Sequence, residues 1–142
     1  MAKAGGDEAA RREIENLLDA FGRALENRDP AGMLEALTDD DDVVIIPSEG
    51  VDANVGRKSV VAFIRRLETH PRRYGWRWTE RRFVVHGDVA SFLAMGREVV
   101  EEGGRHWTQP YCLTGVAVRT AAGWRLQMLH ASEEDRPTPH QA

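Results

Sequence analysis

Trp124, Leu126, Met128, His130 and Ser132 recur at alternate positions near the end of the chain, a spacing that puts all five on one face of a strand. Three are apolar and the last two can hydrogen-bond or move a proton, so the segment reads as a buried strand with a polar end opening into a cleft. His130 could act there as general base or acid, or orient a ligand. Its plainer reading is a core imidazole satisfied by a carbonyl or carboxylate. Ser132 shares the face and could bond the same ligand, although no surrounding motif marks it as a nucleophile. Tyr111 shares a face of the preceding strand with Trp107, Gln109 and Leu113. A phenol so placed could donate to an oxyanion, or simply find a backbone acceptor.

Trp76, Trp78 and Trp107, with Met95 and Met128, supply an apolar wall for a ligand, or plain core or subunit interface. Cys112 points away from Tyr111, beside Thr114, Val116 and Val118, and reads as a small core hydrophobe. The five histidines (70, 86, 106, 130, 140) are scattered without metal-ligand spacing, and no glycine-rich phosphate loop occurs, so neither metal nor cofactor is expected. Asp39-Asp40-Asp41-Asp42 lacks the alternation of a calcium loop and reads as a solvated turn. Among the remaining acids, Glu98 is the only one well inside a meander strand. Glu49 and Asp52 fall in a loop from which either could lean over a cleft mouth, though the spacing requires neither.

The elements that must position these groups follow from periodicity. Ile14, Leu17, Leu18, Phe21 and Leu25 predict an amphipathic first helix, with Asp7 as its cap and Asn27-Arg28 as its end. Asp29-Pro30 opens a short second helix carrying Met33, Leu34 and Leu37. Val43-Val44-Ile45-Ile46 predicts a strand buried on both faces and ended by Pro47. Residues 48–56 read as a loop. Val60, Phe63, Ile64 and Leu67 stripe a third helix that Pro71 closes. From Arg72 the period becomes two. Tyr74, Trp76 and Trp78 share one parity while Phe83 and Val85 take the other, which requires a bulge or sharp bend between Trp78 and Phe83. Turns at His86-Gly87-Asp88, Glu101-Glu102-Gly103-Gly104 and Thr120-Ala121-Ala122-Gly123 make four extended segments an antiparallel meander. Three helices before such a sheet give an α+β domain whose concave side the helices must cover.

A length of 142 residues fits one domain with a single core, ordered over about 7–133 and followed by a polar, proline-containing flexible tail over 134–142. A net charge of -4 disfavours nucleic acid and anionic membranes as partners. No run approaches the roughly 20 apolar residues of a membrane span, and the first residues lack the apolar centre of a secretory signal. One cysteine excludes an internal disulfide and fits a reducing compartment, so a cytoplasmic location is expected.

The chain resembles the SnoaL-like branch of the nuclear transport factor 2-like (NTF2-like) superfamily from about Glu13 to Ser132. The residues that carry the likeness are the first helix, Asn27-Arg28-Asp29, Val43-Val44-Ile45-Ile46, and Gly56-Arg57-Lys58-Ser59 leading into the third helix. Further along they are Gly87-Asp88-Val89-Ala90, Leu113-Thr114-Gly115-Val116, and Gly123-Trp124-Arg125-Leu126 with His130-Ala131-Ser132. The resemblance implies a cone-shaped half-barrel, three N-terminal helices on a curved, mostly antiparallel sheet, a pocket between the layers, and dimerisation through the sheet's outer face. It leaves the activity open, since isomerases, cyclases, dehydratases and assembly modules share the fold. The ketosteroid isomerase pattern of an aspartate base and a tyrosine–aspartate oxyanion pair finds a counterpart only in Tyr111, and no acid is matched. The expectation is a homodimeric domain binding a small apolar or aromatic molecule. His130 and Tyr111 would be its polar, potentially catalytic contacts, and Trp78, Met95, Trp107, Met128 and Ser132 would line the ligand. The alternatives are a non-catalytic assembly module and an isomerase- or cyclase-like enzyme.

Overall fold

In the computed structural model, which describes residues 2–49 and 52–134 with side chains from Gly6 onward, the first apolar stripe forms α1 (Ala2–Glu26). Ala10, Ile14, Leu18, Phe21 and Leu25 are buried along it, while Arg11, Arg12 and Arg23 face outward. Asp7 is not the cap: the helix runs upstream of it, through Gly5 and Gly6, to Ala2, so Asp7 falls inside the helix rather than at its start. The helix stops where expected. Arg28 takes a left-handed φ of 52°, and Asp29 then caps α2 (Pro30–Glu35) by accepting from the Gly32 N–H at 3.1 Å. Met33 is fully buried beneath it.

β1 (Val44–Ile46) pairs antiparallel with the two-residue β2 (Asn54–Val55), which falls within the span 48–56 expected as a loop because backbone pairing with Val44 and Ile45 orders it; α3 (Arg57–Glu68) follows. α3 buries Val60 and Ile64 and half-buries Phe63 and Leu67. The long strands follow as β3 (Arg73–His86), β4 (Val89–Glu102), β5 (Arg105–Thr120) and β6 (Gly123–Glu133). Their turns are tight; Gly103 and Gly104 both adopt positive φ (57° and 82°), the twist a two-residue hairpin needs. The six strands order β2-β1-β6-β5-β4-β3, antiparallel except where β1 runs parallel to β6. The chain after α2 also docks on β6: Thr38 N–H donates to the Leu126 carbonyl at 2.9 Å and Leu126 N–H to the Ala36 carbonyl at 2.8 Å.

Two bulges bend the sheet. One lies in β3 between Trp78 and Glu80, within the interval the parity change demanded. The other was not expected. Val116 of β5 faces Met128 and Ala117 faces Leu126, so Gln127 is an extra residue in β6. Upstream of it Trp124 and Leu126 point into the core; downstream the inward residues are Leu129 and Ala131. Ion pairs fix α1 over β3, with Arg81 held by Asp19 (2.7 Å) and Glu15 (3.6 Å), and Arg77 by Glu26 (2.7 Å). The flexible tail expected over 134–142 lies, past Glu134, outside the described residues.

The bend in β3 brings its backbone hard against Gly96 of β4. A Cβ there would overlap the Arg77 carbonyl oxygen and Trp78 Cα, neither of which can move without shifting the ladder. Gly96→Ala is therefore expected to destabilise the protein by about 1–3 kcal/mol, read as a lower urea midpoint. An unchanged midpoint would mean that the strand crossing is looser than described.

Candidate functional site

Between α1, α3 and the inner face of the sheet lies a cavity of about 350 Å³. Phe21 and Leu25 come from α1, Phe63 and Leu67 from α3, Ile45 from β1, Leu113 from β5, and Leu129 and Ala131 from β6. The size and the apolar walls suit a small organic molecule. Its polar lining residues are Glu98, Tyr111, Tyr74, Ser48, His70, Glu49, Asp52, Asn54 and Arg66.

Glu98 is the decisive group. Inward positions along β4 run Phe92, Ala94, Gly96, Glu98 and Val100, so an acid sits in an otherwise apolar stripe. Only 3% of the residue is exposed. Its cross-strand neighbours are Trp76 on β3 and Gln109 on β5, and the Gln109 amide donates to its Oε1 at 3.0 Å. The same amide nitrogen donates to Glu133 Oε2, which also accepts from the Ser48 hydroxyl at 3.4 Å. Loss of hydration pushes the Glu98 carboxyl up to about 8; the Gln109 hydrogen bond and Arg72 oppose the rise, and Glu133 and Glu49 add to it. At neutral pH the group is mostly a carboxylic acid, able to donate.

Tyr111 lies opposite Gly96 and therefore diagonal to Glu98 on the same face. Burial, then the Glu98 charge, raise its hydroxyl above the usual tyrosine range, so it too is a donor. An aromatic wall backs it: Trp76 stacks on Phe21 at 5.6 Å and tilts against Trp78 at 5.3 Å, and both indoles lie within 6.3 Å of the Tyr111 ring. The Trp76 indole N–H is buried without a well-formed hydrogen bond, although it lies near enough to the phenol oxygen to favour negative charge there. Tyr74, whose hydroxyl is also raised by burial and by the charges of Glu49 and Glu98, completes the polar corner.

His70 reaches the cavity from the α3–β3 connection. Its Nδ1 accepts from the Arg72 N–H at 3.0 Å, which leaves Nε2 as the ring's donor. Arg28 Nη2 holds the His70 carbonyl at 2.8 Å, so the strained α1–α2 turn anchors this connection. Arg72 is occupied by Glu49 (2.9 Å) and Glu102 (3.3 Å).

Of the residues expected to act on or line the ligand (His130, Tyr111, Trp78, Met95, Trp107, Met128 and Ser132), only Tyr111 lines this cavity. It is joined there by Trp76, Glu98, Glu49 and Asp52, which the sequence also offered as apolar wall or candidate acids. His130 is exposed on the opposite face of the sheet, and Ser132 and Met128 follow it there. The Gln127 bulge reverses the facing of β6, so the alternation beginning at Trp124 does not survive past Leu126. Met95 belongs to the outer face as well, opposite Cys112, and shares a shallow outer hollow with Ser132. Trp78 packs inward behind Trp76 and Tyr111 without reaching the cavity. Trp107 sits at the far end of β5, flanked by Arg72 (5.4 Å) and Arg105 (5.6 Å). His70 figures in the sequence only as one of five scattered histidines without metal-ligand spacing, and Arg66 only as a residue on the outer side of the third helix; neither is assigned to the site there. Glu98 carried a usable signal, an acid at an inward position of an apolar strand. Among the described residues no three His, Cys, Asp or Glu side chains gather as a metal site would need, and no helix is long and apolar enough to cross a membrane.

Three helices closing the concave side of a curved, mostly antiparallel sheet over an interior cavity define the cone-shaped α+β class. The chain belongs to the SnoaL-like domain family, whose model matches residues 14–134, within the NTF2-like superfamily. It is similar in fold to a proposed dehydratase of the NTF2-like family from Streptomyces avermitilis, with 20% identity, a TM-score of 0.80, and coverage of 91% of this chain and 99% of that one. A proposed aromatic ring hydroxylase from Novosphingobium aromaticivorans aligns with 20% identity, a TM-score of 0.78 and coverage of 90% and 91%. An NTF2-like superfamily protein from Salmonella enterica serovar Typhimurium aligns with 13% identity, a TM-score of 0.79 and coverage of 96% and 99%. No curated protein matches the chain.

The Glu98 shift has a direct consequence for stability. Because the folded state keeps the proton up to about 8 and the unfolded chain releases it near 4.5, folding binds a proton between those values. The contribution is present in full below about 4.5, and stability should fall by roughly 3–6 kcal/mol as pH rises through this window. Urea denaturation from pH 4.5 to 9 should show that decline in the wild type and a flatter profile in Glu98→Gln. Parallel profiles would rule out a buried, protonated Glu98.

Proposed function

We propose that the helix–sheet cavity binds a small apolar or aromatic molecule and that Glu98 and Tyr111 perform acid–base chemistry on one of its oxygens. The observation behind this reading is a buried carboxyl beside a buried phenol in a cavity whose walls are mostly apolar. Desolvating an acid is costly in a purely structural core, and an apolar site that keeps a carboxylic acid neutral lets it donate a hydrogen bond or a proton at pH 7. A carbonyl or hydroxyl oxygen held between Glu98 and Tyr111 would receive two donors, which stabilises charge developing on that oxygen. The unsatisfied Trp76 indole N–H nearby adds a third potential donor. Isomerisation next to a carbonyl and elimination of water both need such an acid; the fold likeness to a proposed dehydratase is compatible with the second. Glu98 takes the acid role that the sequence left unassigned, and His130 has none in this site.

The domain is proposed to act as a cytoplasmic homodimer. Leu93, Met95, Cys112, Val116 and Met128 form a half-buried, largely apolar patch on the outer sheet face, which a second copy would cover. His130 and Ser132 would lie in or beside that contact. The cavity of about 350 Å³ favours the binding reading over a purely assembling module.

Differential scanning fluorimetry with 2-naphthol and 2-acetonaphthone tests the binding. Both compounds should raise the wild-type Tm, and Leu67→Trp, which places an indole in the cavity wall, should abolish the rise. Glu98→Gln should keep part of it. A Tm rise that persists in Leu67→Trp would move the ligand elsewhere. Sedimentation at micromolar concentration should find a dimer that Met128→Arg converts to monomer, and a wild-type monomer would remove the dimer from the proposal.

A further inference from the structure

The mouth of the cavity carries an asymmetric arrangement of charge. Among the described residues that line the cavity, Arg66 on α3 is the only arginine or lysine. Its guanidinium lies over the Phe63 ring at 5.9 Å, so the cation is seated on a wall residue at the edge of the apolar space. Among the described residues it makes no ion pair within 4 Å, unlike Arg72, whose charge is taken by Glu49 at 2.9 Å and Glu102 at 3.3 Å. Two acids also line the mouth. Glu49 is compensated by Arg72, and Asp52 is exposed in the loop before α3, where water screens it. The floor holds Glu98, buried and hydrogen-bonded to Gln109. An anion entering the site therefore finds one free fork of donors, on the α3 side.

We infer that the ligand of this cavity is an acid: one end reaches Glu98 and Tyr111, and a carboxylate at the other end pairs with Arg66. Guanidinium matches a carboxylate with two parallel hydrogen bonds, and the Phe63 face restricts the fork so that little ordering remains to be done on binding. Arg66 is then a specificity determinant that selects acid-bearing aromatic or apolar molecules over neutral ones of the same shape. The inference rests on the cavity being the binding site, and the experiment separates the two.

Affinities of 6-acetyl-2-naphthoic acid and of neutral 2-acetonaphthone are measured by tryptophan fluorescence on wild type, Arg66→Gln and Arg66→Lys. The acid should bind the wild type about three- to ten-fold tighter than the ketone, the range open to a solvent-exposed pair. That preference should shrink with added NaCl, vanish in Arg66→Gln and survive in part in Arg66→Lys, with the ketone's affinity unchanged throughout. Equal affinities in the wild type, or a preference that persists in Arg66→Gln, overturn the role of Arg66 while ketone binding leaves the cavity reading standing. Binding of neither compound overturns both.

Discussion

β6 lies between β1 and β5 and cannot slip without breaking both ladders, so the extra residue at Gln127 has to be absorbed by a change of face. That constraint decides what the interior contains. Before the bulge Trp124 and Leu126 pack under α1 and against the chain leaving α2. After it Leu129 and Ala131 turn inward to line the cavity, and Met128, His130 and Ser132 turn outward. With an unbroken alternation His130 would occupy the inner face and Leu129 the outer one. The cavity would then hold an imidazole where it now has an aliphatic wall. The bulge also bends the strand, as does the one in β3, and the two together give the sheet a concave side deep enough for helices to close over.

Within that enclosure the chemistry follows from desolvation. Glu98 faces Trp76 on one neighbouring strand and Gln109 on the other, and the carbon-rich walls around it offer little to solvate a negative charge. One amide hydrogen bond partly offsets the loss of hydration, so the proton stays on the acid. Tyr111 responds to the same environment and to the same neighbour. Two groups that would be ordinary anion and phenol at a surface become a pair of donors aimed into apolar space. Polar contacts around the rim hold the frame: Arg28 on the His70 carbonyl, Arg72 between Glu49 and Glu102, and Ser48 on Glu133.

Much of the frame is readable from local chemistry. The stripe from Ile14 to Leu25, the Asp29-Pro30 cap, the buried run at Val43–Ile46 and the glycine turns each depend on contacts within a few residues. The β3 bulge was legible because aromatic residues on both sides of it betray the parity change. Gln127 gave no such sign. On the β6 parity read from Trp124, Met128 passes for an inward residue as readily as Leu129, so the apolar pattern fits either register and only the pairing with Val116 and Ala117 separates them. Asp7 failed as a cap because the helix continues upstream of it to Ala2, which leaves its position inside the helix.

The sequence by itself determined the types and order of the elements other than the two-residue β2, the family and the presence of Tyr111 on an inward strand face, because these rest on periodicity and on residues close together in the chain. The tertiary structure alone decided that His130 is outside, that Glu98 is the buried acid, and that His70 and Arg66 reach the cavity from α3 and its connection. Each of those depends on which distant strand or helix covers a given side chain. Burial by distant neighbours sets the hydration of a carboxyl, and hydration sets whether it keeps its proton.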